Sequence, residues 1–286
     1  MSRIFDALRR ADAIQQGRRI RETEPGEQGE AAFRVVSVTS NKGGVGKTTV
    51  ATNLAVYARA LREDLPILIF SFDDQSSLDR MFRLESGEGM GTILTGVREG
   101  SLDRVIRPGQ YGVDYVRSCT DAGELRRNLQ QPAELRRILR ATKLGGLVVI
   151  DTKSDFEILT RSAIEASDLV IVPIKDQASL EEARRVFDLL AQRGKPLTTA
   201  RVLLSLVDLR VKYREGEDVD VLAHLITEIR REGYPLFETF LSRSPKVESL
   251  HTNPEGRAVP ILRGAPSSVV HTQMLQLTEE VLQIVA

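Results

Sequence analysis

Residues 41 to 49 read Asn-Lys-Gly-Gly-Val-Gly-Lys-Thr-Thr, and they stand between a β-branched run, Arg34 to Thr39, and a segment of helical periodicity, Val50 to Leu61. A strand that turns through glycines into a helix aims backbone N–H groups and the positive end of the helix dipole at one point. Gly43, Gly44 and Gly46 let the backbone wrap an anion closely, with Val45 and Thr49 completing the loop. Lys47 supplies an ammonium for β- and γ-phosphates, and the Thr48 hydroxyl is a Mg²⁺ ligand. The alternative, a glycine-rich turn with an incidental lysine, does not account for the strand before it and the helix after it.

Outward from this loop the chain alternates strand and helix signals. Pro66 to Phe72, Val113 to Val116, Leu147 to Ile150, Leu169 to Val172 and Val202 to Val207 are further strand candidates, with helical segments between most of them. Such an order predicts an α/β fold: a mostly parallel, doubly wound P-loop NTPase sheet with helices on both faces. Ligands of such sheets sit at the carboxyl ends of the strands. One domain is expected over residues 31–286. Before it, residues 3 to 14 place Ile4, Leu8, Ala11 and Ile14 near helical spacing, and residues 22 to 30 read as a flexible linker. That amphipathic helix either docks a partner or folds back, and residues 1–30 are too short for an independent DNA-reading domain.

Composition narrows the function classes. Of 286 residues, 41% are hydrophobic and 28% charged, the balance of a globular protein. Cys119 is the only cysteine, so no intrachain disulfide can form, and we read it as a bystander. Met1 to Arg10 lack the apolar run of a signal peptide, and no stretch approaches the roughly 18 apolar residues of a membrane span, which predicts a cytoplasmic protein. Forty basic residues balance forty acidic ones, so affinity for nucleic acid has to come from local clustering.

The loop departs from the pattern G-x-x-x-x-G-K-S/T at its first glycine, which is Asn41, and adds Lys42. In this it resembles the ParA/MinD family of deviant Walker A ATPases, with the signature K-G-G-x-G-K-S/T. In that family the first lysine reaches across a nucleotide-sandwich dimer to the partner's ATP, which implies that Lys42 is catalytic in the manner of an arginine finger. The family's D-x-D-P-Q segment is matched by Ser71-Phe72-Asp73-Asp74-Gln75, implying that Asp73 orients the attacking water. Leu147 to Ile150 run into Asp151, at the place of the family's carboxylate near Mg²⁺, but D-x-P-P is replaced by Asp151-Thr152-Lys153-Ser154. The resemblance extends across most of residues 34 to 286, including Gly91 to Ile106 and residues 165 to 181. It implies ATP and Mg²⁺ as cofactors and an ATP-dependent homodimer. The changes at Ser71, Asp74 and Lys153 imply hydrolysis that is slow unless stimulated.

Family members differ in what they bind. MinD-like proteins end in a basic amphipathic helix that enters membrane, whereas residues 264 to 286 hold no Lys or Arg and include Glu279 and Glu280, so no C-terminal membrane anchor is expected. ParA-like proteins bind DNA without sequence preference. The family's L-D-x-R turn is similar to Val207-Asp208-Leu209-Arg210, and Lys246 falls at a second basic position, so Arg210, Lys246 and Arg243 are the candidate DNA-binding residues, with Lys212, Arg214, Arg230 and Arg231 able to widen the patch. Interleaved Glu215, Glu217, Asp218 and Glu228 leave open a plain solvated face.

Three readings follow. The first is a ParA-like ATPase, cytoplasmic or nucleoid-associated, that positions a chromosome, plasmid or protein cargo and answers to an activating or adaptor protein. The second is a nucleotide-dependent scaffold that docks a protein partner through residues 1–20 with little hydrolysis. The third is an export-associated tyrosine-kinase-like ATPase, since Met1 to Arg10 look like the opening of some such kinases. Those, however, lack the signature lysine and carry a C-terminal tyrosine cluster, whereas Tyr234 is the last tyrosine here.

Overall fold

A computed structural model of the protein describes residues 33–73, 77–83, 91–208, 212–215, 217–251 and 258–286. The expected helix over residues 3 to 14, the linker over 22 to 30, and Asp74, Gln75 and Arg210 lie outside the described residues. The elements run β1 (Phe33–Val38), α1 (Lys47–Leu61), β2 (Ile67–Ser71), α2 (Ser77–Phe82), α3 (Ile93–Glu99), β3 (Arg107–Pro108), β4 (Asp114–Tyr115), α4 (Ala122–Asn128) and α5 (Pro132–Ala141). They continue with β5 (Gly146–Asp151), α6 (Ile158–Ala166), β6 (Leu169–Ile174), α7 (Gln177–Gln192), β7 (Ala200–Leu204), β8 (Lys212–Glu215), β9 (Glu217–Asp220), α8 (Val221–Arg231), α9 (Pro245–Glu248), α10 (Ile261–Gly264) and α11 (Val269–Ile284).

One seven-stranded sheet has the order β3-β4-β2-β5-β1-β6-β7. All its pairs are parallel except β3 with β4, an antiparallel edge. β1, with neighbours β5 and β6, is central and buried on both faces, as a continuous β-branched run requires. Beyond β7 the chain returns as an irregular edge: Val202 N–H donates to Pro235 O at 2.8 Å and Leu241 N–H to Leu204 O at 2.8 Å. The strand expected over Val202 to Val207 is β7, and it stops at Leu204 because Leu206 takes a left-handed φ of 56°. The one expected over Val113 to Val116 shrinks to Asp114–Tyr115 beside a tight turn at Tyr111 and Gly112, with φ of 62° and 70°.

The period of two along each strand divides the core. Val36, Val38, Ile69, Val149 and Ile171 face α1 and α11, where Leu54, Tyr57, Met274 and Leu277 meet them. Val35, Leu68, Phe70, Val148 and Ile150 face the opposite layer of α3 to α6. Val172, Ile174, Val202 and Leu204 pack with α7 and α8, where the rings of Phe187 and Tyr234 stack at 3.9 Å. Helix α1 is buried nearly all round, which fits an apolar helix held between the sheet and α11.

The register fixes where chemistry can occur. Val38 pairs with Asp151, and Ser71 pairs with the same Asp151 from the other side. The carboxyl ends of β1, β2 and β5 are therefore level, and residues in register on parallel strands point to the same face.

Candidate functional site

The loop from Ser40 to Gly46 closes over the end of β1. Its bend rests on Gly44 and Gly46, with φ of 69° and 87°, a region in which a side chain is strained. A Cβ on Gly46 would also lie 3.3 Å from Ser205 Oγ. Val45, fully buried, anchors the loop in the core, while Gly43 and Gly44 are exposed above it. Gly46 is the N-cap of α1, so the free N–H groups of the first helical turn open toward the concave side of the loop.

Lys47 opens α1 and is buried at 7% exposure. Its Nζ donates to Ser154 Oγ at 2.5 Å and to Lys42 O at 3.3 Å. Burial lowers its pKa, against the pull of Asp151, Asp73 and Asp155 in the other direction. Thr48 Oγ1 donates to Asp151 Oδ2 at 2.9 Å, and Ser71 Oγ donates to the same oxygen at 3.1 Å. Asp151 is 1% exposed, and its Oδ1 makes no hydrogen bond among the described residues. Burial pushes the Asp151 carboxyl up to about 7; the hydroxyls of Thr48 and Ser71 oppose this, the Asp73 carboxylate adds to it, and the Lys47 ammonium opposes it. Asp73 is half-buried just past β2, its N–H donating to Ser71 Oγ at 2.9 Å. Lys42 is half-buried at the loop's entry, its N–H donating to Ser40 Oγ at 3.3 Å, and Asn41 is hydrogen-bonded to Glu182 of α7.

The structure thus brings Lys42, Lys47, Thr48, Asp73 and Asp151 to one place. Three partners were not singled out from the sequence: Ser154, which holds Lys47, Ser71 as a hydroxyl donor, and Glu182. Ser71 and Ser154 were visible there only as departures from the D-x-D and D-x-P-P patterns.

These residues suit a Mg²⁺–triphosphate. The loop is a cradle whose bends at Gly44 and Gly46 suit glycine alone, and Asp151 keeps a buried oxygen without a donor beside the Thr48 hydroxyl. Among the described residues no cluster of three or more His, Cys, Asp or Glu can hold a metal by itself, and a Mg²⁺ held by Thr48 and Asp151 would take the rest of its coordination from phosphate oxygens and water. Against the α1 side of the loop lies a cavity of about 70 Å³, lined by Gly46, Thr49, Ser205, Leu241, Val247 and Met274 among others. One of its walls is tied to α1, since Asn53 Oδ1 accepts from Ile261 N–H at 2.8 Å and Asn53 Nδ2 donates to Thr49 O at 2.8 Å.

Of the candidate DNA-binding residues, Arg243 and Lys246 lie in the segment that lines this cavity through Ser242, Ser244, Val247 and Glu248. Arg243 and Lys246 are exposed, Lys246 on α9, and Arg243 Nε pairs with Glu248 Oε1 at 3.0 Å. In the β8–β9 hairpin the register sets Lys212 opposite Asp220 and Arg214 opposite Asp218. Among the described residues no helix is long and apolar enough to cross a membrane.

Comparison with known proteins agrees with the geometry. The AAA domain family profile matches residues 33–192. The chain is 29% identical over 212 residues to the chromosome partitioning protein ParA of Caulobacter vibrioides, covering 67% of this chain and 76% of that protein. It is 25% identical over 264 residues to the chromosome-partitioning ATPase Soj of Thermus thermophilus, covering 88% and 96%. Among solved structures, the ATP complex of a Cyanothece McdA variant superposes with a TM-score of 0.68 at 15% identity, covering 88% of this chain and 97% of that one. The septum site-determining protein MinD of Pyrococcus horikoshii, complexed with Mg-ADP, gives 0.66 at 20% identity, covering 89% and 99%.

Proposed function

The chain belongs to the ParA/MinD family of P-loop ATPases, and from that premise we propose that it is an ATP-gated dimerisation switch that binds DNA without sequence preference and positions a chromosome, plasmid or protein cargo. The observation that carries the reading is the pairing of Thr48 and Ser71 on one oxygen of a buried Asp151 whose other oxygen has no donor, directly beneath a glycine cradle.

In this reading residues 43–49 bind the phosphates, with the N–H groups of the loop and the Lys47 ammonium taking their oxygens. Lys47 exchanges its Ser154 and Lys42 contacts for phosphate. Thr48 and Asp151 hold Mg²⁺, which when bound offsets the charge of the β- and γ-oxygens. The cavity beside Gly46 and Thr49 takes the base end, and Lys42 completes the site of a second subunit. Asp73 orients the water, held by the Ser71 contact to its N–H. Arg210, Arg243 and Lys246 meet DNA phosphates, which requires Arg243 to leave Glu248.

The test is size-exclusion chromatography with light scattering, together with retention on random duplex DNA. With Mg²⁺-ATP the protein should run as a dimer held on DNA at low salt and released as salt rises. Lys42→Ala should bind ATP yet remain monomeric. A monomer under every nucleotide condition would sink the dimer switch, and an ATP dimer with no DNA retention would leave a scaffold docking a protein partner. Ser71, at the place of a family carboxylate and bonded to Asp151, favours that second reading in one respect: unstimulated turnover should be slow.

A further inference from the structure

We propose that Lys175 is a third phosphate-facing cation of this site, meeting the terminal phosphate of the nucleotide bound by its own subunit. The proposal rests on the reading of residues 42–49 as the triphosphate loop and adds a residue that no pattern in the loop contains. Lys175 directly follows β6, and the pairing of Val38 with Ile171 brings that strand end beside the loop. Its backbone is pinned: Lys175 N–H donates to Ser179 Oγ at 2.9 Å, Asp176 N–H donates to the same oxygen at 3.0 Å, and Ser179 N–H donates to Asp176 Oδ1 at 2.8 Å. This is the capping box that starts α7, so Lys175 stands on a rigid helix entry and not on a loose loop.

From there the half-buried side chain leans over the cradle. A methyl group on Gly44 would lie 3.9 Å from Lys175 Nζ, in the exposed part of the loop where Gly43 and Gly44 are open. Among the described residues no hydrogen bond or ion pair holds that ammonium. Its nearest compensation is Asp176, whose ionisation burial opposes, while the Ser179 hydrogen bonds and then the ammonium groups of Lys175 and Lys42 hold its carboxyl below the ordinary range. Lys42 and Lys175 thus both act on Asp176.

The direction of the nucleotide decides which phosphate Lys175 meets. The cavity assigned above to the base end opens beside Gly46 and Thr49, at the helix end of the loop. A nucleotide seated there runs its phosphates from Thr49 back toward Gly44, so the last of them comes under Lys175. A diphosphate ends short of it. Lys175 therefore discriminates ATP from ADP, through a charge-assisted contact that only a third phosphate reaches, from a backbone position fixed in advance by the helix cap.

The test is calorimetric titration of the full chain with Mg²⁺-ATPγS and with Mg²⁺-ADP. Lys175→Gln should weaken ATPγS about tenfold and ADP less than about threefold, Lys175→Arg should recover most of the loss, and nucleotide-free thermal unfolding should match the wild type. Equal losses for the two nucleotides, or no loss, would overturn the proposal and leave Lys175 serving only Asp176 and the helix cap. A wild-type protein that binds neither nucleotide would overturn the loop reading itself.

Discussion

Asp151 is the residue on which stability and function pull in opposite directions. Its ordinary carboxyl value is 3.8, and burial pushes it to about 7 in the folded chain. Between those values the native state keeps a proton that the unfolded state has released, so the nucleotide-free protein loses stability as pH rises from about 4 to about 7. Asp151→Asn removes the ionisable group. Its expected signature is an unfolding free energy higher than wild type near neutral pH, by on the order of 2 kcal/mol and read as a raised melting temperature, with the two proteins converging at low pH. The same substitution should abolish Mg²⁺-dependent nucleotide binding, and a calorimetric pH series with and without Mg²⁺-ATP reads both. Ser71 carries a smaller version of this argument. Ser71→Ala removes a donor to Asp151 and the acceptor of Asp73 N–H, and should lower the unfolding free energy by about 1–2 kcal/mol, read as a lower urea midpoint with the m-value unchanged.

At the scale of elements, α1 joins the phosphate loop to the rest of the molecule. Its first residue is Lys47, and nearly two turns further on Asn53 accepts from the buried Ile261 N–H of α10. Asn53→Ala strands that donor and should cost about 1–3 kcal/mol, loosening the cavity wall as well. Weaker nucleotide affinity accompanying the fall in melting temperature would be the expected pair of results; loss of stability alone would argue that the wall does not meet the ligand. The boundaries of such elements were largely legible. β1 and the loop could be read because glycine freedom and β-branched runs act locally, within a few residues. The end of β7 could not, because nothing in Val202 to Val207 announces that Leu206 turns left-handed beside Ser205.

For the molecule as a whole, the mostly parallel sheet followed from the alternation of strand and helix signals along the chain. The site was legible only where a pattern was contiguous. Gly43 to Thr48 are neighbours in sequence and could be read together, whereas Ser71, Ser154 and Lys175 join them from separate strand ends and Glu182 from α7, and only the register reveals it. The Arg243–Glu248 pair was hidden for a different reason, since charge clustering says where cations are and not which carboxylates already hold them.

That level register has a kinetic consequence. Thr48, Ser71 and Asp151 meet only when β1, β2 and β5 have paired, across 80 residues between Ser71 and Asp151 and 103 between Thr48 and Asp151. Contacts of such separation close late, after loop entropy has been overcome. A chain still crossing its folding barrier therefore has no phosphate cradle to offer, and saturating Mg²⁺-ATP should leave the refolding arm of a chevron unmoved while slowing the unfolding arm. Nucleotide would then lengthen the lifetime of the finished protein without helping to make it, so that ligand binding doubles as proof that synthesis has reached a complete sheet.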